Sequence, residues 1–156
     1  MTRQVDSPSR LPRISVLGTS ALLFEAPGAL ELEQQQRIWS LAAAAQTWDA
    51  VDEAVPGMNN LMLTFTQPPS DLAALRAALL RQWAKGQSVT LQGKTVELPV
   101  VYGGPGGPHL ADVVAHTGLS VESIVELHSA PLYTVFALGS HPGYCYLGGM
   151  DPRIAT

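Results

Sequence analysis

Apolar residues recur along this chain in two rhythms, and the rhythm switches at turn residues. Ile14-Ser15-Val16-Leu17 and Ala21-Leu22-Leu23-Phe24-Glu25 are short strand-like runs separated by Gly18-Thr19-Ser20, the signature of a hairpin. After the break at Pro27-Gly28 the period lengthens. Ile38, Leu41, Ala42 and Ala45 share one face at helical spacing, which predicts a helix over residues 31–45. Glu31 and Glu33 fall in its first turns, where the helix dipole favours negative charge. Trp48 to Val55 reads as a weaker strand, and Pro56-Gly57-Met58-Asn59 has turn chemistry. Strict alternation then returns, with Leu61, Leu63 and Phe65 on one side of a strand.

Pro68-Pro69 ends that strand, and Ser70 is placed to cap a second helix whose stripe is Leu72, Leu75, Leu79 and Trp83. Gly86 stops it. Thr95 to Tyr102 alternates again, with Val96, Leu98 and Val100 on one face, and Pro99 marks an edge or bulged strand. The predicted order β-β-α-β-β-α-β contains a split βαβ unit and suits a ferredoxin-like α+β domain over residues 13–98, behind a disordered tail at 1–12. A second unit, 99–156, opens with Gly103-Gly104-Pro105-Gly106-Gly107-Pro108. Pro108 is placed to start a helix with Leu110, Val113 and Val114 inward. Ser120 caps another, with Val121, Ile124 and Val125 inward and His128 near its end. A strand, Leu132 to Leu138, leads into the Gly- and Tyr-rich stretch 139–149, which reads either as a tight turn or as a site hung on a rigid strand.

Composition narrows the class. The length of 156 residues suits one domain or two small ones. Net charge is −4, which gives nucleic acid no footprint. Charged residues make up 14%, against about 25% in an average soluble domain. A surface so poor in Lys and Glu resembles an interface; a high-GC genome favouring Ala, Arg and Gly gives the same composition. The single Cys145 excludes an internal disulfide and fits a reducing compartment. With no apolar run near the ~18 residues of a membrane span and no h-region behind Arg3 and Arg10, the cytoplasm is the expected location.

Motif tests exclude more than they assign. From Gly104, a dinucleotide fingerprint would need glycine where His109 stands. Gly93-Lys94-Thr95 imitates the end of a phosphate-binding loop, but Ser88 replaces the first glycine and a strand is predicted to follow. The glycine loop before a helix remains either a structural turn or an anion-binding loop. His109, His116, His128 and His141 lack metal-binding spacing, so no protein-held metal is expected. Ser140 and His141 are adjacent, so in an extended segment they point to opposite faces and cannot pair. Cys145 reads as a small buried hydrophobe.

Several stretches together are similar to one bacterial family: Val100-Val101-Tyr102-Gly103-Gly104, Leu110-Ala111-Asp112-Val113, Thr117-Gly118-Leu119-Ser120, His128-Ser129-Ala130-Pro131, and 138–153 with Tyr146-Leu147-Gly148-Gly149-Met150-Asp151-Pro152-Arg153. The chain resembles allophanate hydrolase subunit 1, also called the 5-oxoprolinase B subunit, a family that includes a sporulation-kinase inhibitor and a carboxyltransferase segment of urea carboxylase. The resemblance implies a ferredoxin-like domain followed by the start of a cyclophilin-like β-barrel, which family chains complete beyond Thr156. It implies sister subunits C and A, with ATP and Mg²⁺ consumed in opening 5-oxoproline to glutamate. The alternatives it carries are inhibition of a sensor histidine kinase and allophanate or urea-linked hydrolysis. On this reading His128, His141, Tyr144 and Tyr146 line a substrate pocket, and Gly103, Gly104, Gly106 and Gly107 hold the cofactor. No catalytic residue is assigned.

Overall fold

The computed structural model describes residues 11–155; the expected tail at 1–12 therefore lies almost wholly outside the described residues. Strands β1 (Arg13–Leu17), β2 (Ala21–Glu25), β3 (Glu53–Pro56) and β4 (Asn60–Thr64) form one antiparallel sheet in the order β1-β2-β4-β3. Helix α1 (Leu32–Ala45) connects β2 to β3, and α2 (Leu72–Ala84) follows β4. Since β4 lies between β2 and β3, the β2-α1-β3 connection is a split βαβ.

The alternation read from the sequence explains the core. Leu22, Phe24, Leu61 and Leu63 alternate onto the helix-facing side and are fully buried. Against them pack Ile38, Leu41, Ala42 and Ala45 of α1 and Leu75, Leu79 and Trp83 of α2. Phe24 and Trp83 meet with ring centroids 5.1 Å apart. Arg37 lies 3.8 Å over the Trp83 ring, covering its outer side with a cation. Pro56 ends β3, an edge strand, where its missing N–H leaves no ladder bond broken.

Two sequence expectations fail here. Residues 85–102 contain no strand, so the predicted strand at 95–102 is absent, and residues 91–101 are exposed throughout. The place beside β2 that a split βαβ sandwich would give it is filled by β1, whose tight Gly18 turn makes pairing local and inexpensive in chain entropy. The cap of α2 is Asp71 rather than Ser70: the Asp71 carboxylate accepts the Ala74 N–H at 2.8 Å.

By contacts the chain divides into two units. The first runs to Thr90 and takes in Phe136–Tyr146; the second comprises Leu91–Val135 and Leu147–Thr156. The break falls at Thr90/Leu91, ahead of the expected 98/99, because 91–98 does not join the sheet. In the second unit α3 (Leu110–Thr117) and α4 (Val121–Ser129) form the expected helical pair. Helix α3 starts two residues after Pro108, with His109 as its cap position, and Ser120 caps α4 by accepting the Ser123 N–H. Val121 is exposed rather than inward; Ile124 carries the buried face of α4. Strands β5 (Thr134–Leu138) and β6 (Cys145–Gly148) pair in a two-stranded sheet.

A polar residue that periodicity could not flag ties the first unit together. Gln35 is completely buried inside the otherwise apolar face of α1. Its side-chain N–H group donates to the Gly57 carbonyl at 2.9 Å and the Phe136 carbonyl at 3.1 Å, and its oxygen accepts the Asn59 N–H at 2.9 Å. The Trp39 indole N–H also donates to the Phe136 carbonyl, at 3.0 Å. Every polar atom of the buried amide thus has a partner, the condition for placing one in a core.

Candidate functional site

The glycine loop folds back on itself. Gly103 and Gly104 adopt positive φ, a short 3₁₀ turn spans Gly104–Gly106, and the Gly107 N–H donates to the Gly103 carbonyl at 3.0 Å. A Cβ on Gly107 would stand 2.7 Å from the Gly103 nitrogen, so the loop closes only around glycine. This turn forms one wall of a cleft of about 370 Å³ within the second unit, a size suited to a small ligand. Val101, Leu110, Val113 and Met150 supply apolar walls; Ile124 and Ile154, both buried, lie beneath.

Polar chemistry in the cleft centres on His128. The Tyr102 hydroxyl lies 2.7 Å from His128 Nδ1, and the two rings meet edge to face with centroids 5.7 Å apart. The Tyr133 hydroxyl donates to the His128 carbonyl at 2.9 Å, capping the end of α4, and its ring packs on the imidazole. Burial pushes the Tyr133 phenol up, with Tyr102 and Asp151 adding to the shift. Asp151 is itself gripped by Arg153 through two side-chain bonds, at 2.7 and 3.0 Å, and by the Arg153 N–H. Those bonds hold the Asp151 carboxyl down at about 2.

Of the residues expected to form a site, the structure gathers His128, Gly103, Gly106 and Gly107 around this cleft. Gly104 is exposed and is not part of its lining. His141, Tyr144 and Tyr146 do not line it; Tyr146 is exposed on β6, and His141 and Tyr144 are exposed at the β5–β6 connection, where Gly139 N–H bonds Tyr144 O and Tyr144 N–H bonds His141 O. Two further expectations are corrected there. The connection is a turn rather than an extended segment, so the Ser140 hydroxyl reaches His141 Nδ1 at 3.0 Å instead of pointing away. Cys145 is exposed rather than buried. Sequence reading missed Tyr102 as a site residue: nothing in local spacing relates it to a histidine 26 positions away.

The donor set does not suit a metal-bound triphosphate. The cleft lining has no Lys or Arg, and the Gly107 N–H already serves the loop's own carbonyls. Among the described residues no group of three or more His, Cys, Asp or Glu is placed to hold a metal ion. A second cleft of about 210 Å³, in the first unit between Val16, Phe65, Pro68 and Leu72, has no ionisable side chain in its lining. Among the described residues no helix is long and apolar enough to cross a membrane.

With this architecture and cleft established, comparison assigns the class: residues 12–156 match the carboxyltransferase domain, subdomain C and D, and the chain belongs to that family. Its relatives make the assignment more particular. It is 40% identical over 144 residues to the 5-oxoprolinase B subunit of Escherichia coli O157:H7 and 35% identical over 140 residues to that of Haemophilus influenzae. The chain spans 66% and 65% of the lengths of those relatives, and the matches take in 92% and 90% of this chain. The solved structure of TTHA0988 is similar at a TM-score of 0.60 and 31% identity, over 88% of this chain and 26% of that one.

Proposed function

We propose that this chain acts as the B subunit of an ATP-dependent 5-oxoprolinase, opening the lactam of 5-oxoproline to glutamate together with sister subunits A and C in the cytoplasm. The observation that carries the reading is the 40% identity to a 5-oxoprolinase B subunit along nearly the whole chain. The first unit then corresponds to a ferredoxin-like domain, in keeping with its split βαβ, and the second to the opening part of a cyclophilin-like barrel. The cleft beside Tyr102 and His128 contributes to substrate binding. The exposed His141, Tyr144 and Tyr146 contact substrate only in the assembled complex. ATP and Mg²⁺ act on a sister subunit, since the cleft beside the glycine loop has no Lys or Arg in its lining. Phosphoryl activation of the amide oxygen followed by water attack gives the ring-opening its driving force. The test is co-expression with subunits A and C and assay of glutamate released from 5-oxoproline. Release should require this chain; equal turnover without it overturns the proposal.

A further inference from the structure

We infer that two side chains, Arg76 on β1 and Gln46 on β3, keep the sheet of the first unit to its four strands, and that the strand Arg76 excludes is β1 of a second copy of this chain. Which backbone groups face outward follows from the ladder. The Phe65 N–H donates to the Ser20 carbonyl at 2.9 Å and the Ala26 N–H to the Asn59 carbonyl at 3.0 Å. Both bonds continue the β2–β4 register, so Leu22 and Phe24 bond β4, while Ala21, Leu23 and Glu25 bond β1. Their partners are Leu17, Ser15 and Arg13, which leaves the N–H and C=O groups of Ile14 and Val16 pointing out of the sheet. At the opposite edge the Gly57 N–H donates to the Asn60 carbonyl at 2.8 Å, and the same alternation turns Ala54 and Pro56 outward.

Each edge meets a side chain from a helix. The Gln46 amide, at the end of α1, donates to the Asp52 carbonyl at 3.0 Å and accepts the Ala54 N–H at 2.8 Å, as a neighbouring strand would. Pro56 has no N–H, so no outward N–H of β3 is left open. On β1, Arg76 reaches from α2 and donates to the Ile14 carbonyl at 2.9 Å. Its Nε is buried there without an acceptor, a cost that works against a purely stabilising role. Unpaired strand edges template the addition of further strands, and the outward groups of β1 are self-complementary. Two β1 strands laid antiparallel about a two-fold axis would pair Ile14 of each copy with Val16 of the other. Each such pair exchanges an Ile14 N–H and a Val16 N–H. The Arg76 guanidinium occupies the Ile14 acceptor, so it takes one bond from every pair, in both copies.

The test uses the whole chain and analytical ultracentrifugation over a range of concentrations, with far-UV circular dichroism as the check on folding. Arg76→Met keeps the apolar stem and loses the donors. Its mass should rise with concentration above that of the unaltered chain, towards a pair of copies. Arg76→Lys keeps a donor and should follow the unaltered chain. Val16→Pro deletes an outward N–H and no bond within the sheet, so added to Arg76→Met it should abolish the extra association. If Arg76→Met fails to fold, Arg76→Ala, which places the best helix former in α2, takes its place. For Gln46, amide exchange read by NMR should find Ala54 protected in the unaltered chain and exchanging about tenfold faster or more in Gln46→Met. A folded Arg76→Met or Arg76→Ala chain that loses stability without associating, or association that survives Val16→Pro, overturns the inference for β1. An Ala54 amide that exchanges freely in the unaltered chain, or that ignores Gln46→Met, overturns it for β3.

Discussion

Replacing Gln35 with Leu would strip the Gly57 carbonyl and the Asn59 N–H of their side-chain partner and leave the Phe136 carbonyl with Trp39 alone. Leaving buried polar groups unpaired costs about 1–3 kcal/mol apiece. Urea denaturation of Gln35→Leu should therefore show a loss on the order of 2–3 kcal/mol, despite the gain in side-chain hydrophobicity. Asp151 supports a pH prediction. Its carboxyl titrates at about 2 in the folded chain, against an ordinary value of 3.8, because Arg153 bonds the charged form. A folded-state value below the unfolded one means the pair stabilises the fold above pH 3.8 and loses that contribution as pH falls towards 2. Carboxyl-detected titration should place Asp151 near 2, and Arg153→Ala should raise it part of the way towards the ordinary value, since the backbone N–H at 153 still bonds the carboxylate.

Among elements, the cap of α2 and the glycine loop make distinct predictions. Asp71→Ala removes the acceptor of the Ala74 N–H and should lower stability by about 1 kcal/mol in thermal or urea unfolding, while Ser70→Ala should change little. Gly107→Ala forces a methyl against the Gly103 backbone, so it should cost about 1–3 kcal/mol and shift the NMR signals of the cleft-lining methyls together. Elements with a clear period were legible from the chain. The stripe Ile38, Leu41, Ala42 and Ala45 lies in the core, and Leu61, Leu63 and Phe65 alternate inward. The segment around Val96, Leu98 and Val100 has the same period-2 pattern and forms no strand, because alternation states which face is apolar without stating what it pairs with. Gln35 and Tyr102 were illegible for a related reason. Their partners lie as many as 101 and 26 residues away, and no local rhythm reports a contact closed by the fold. Ser140 and His141 were misread because a strand rule was applied to a turn.

At the scale of the whole molecule, the two units differ in how firmly their backbones are tied. The first has a four-stranded ladder and two helices around one core, whereas residues 91–101 are exposed throughout. Hydrogen exchange read by mass spectrometry should find peptides from β2, β4 and α1 strongly protected and those covering 91–101 exchanging almost at once. Protection of 91–101 equal to that of β4 would contradict the structure. The Phe136 carbonyl has a consequence for the order of assembly. It is the common acceptor for Gln35 and Trp39, and it sits 101 and 97 residues beyond them. On a ribosome the N-terminal sheet and both its helices emerge long before that oxygen exists. The nascent sandwich must wait with two side-chain donors on α1 unanswered, and its final stitch arrives only when the distant strand has been synthesised.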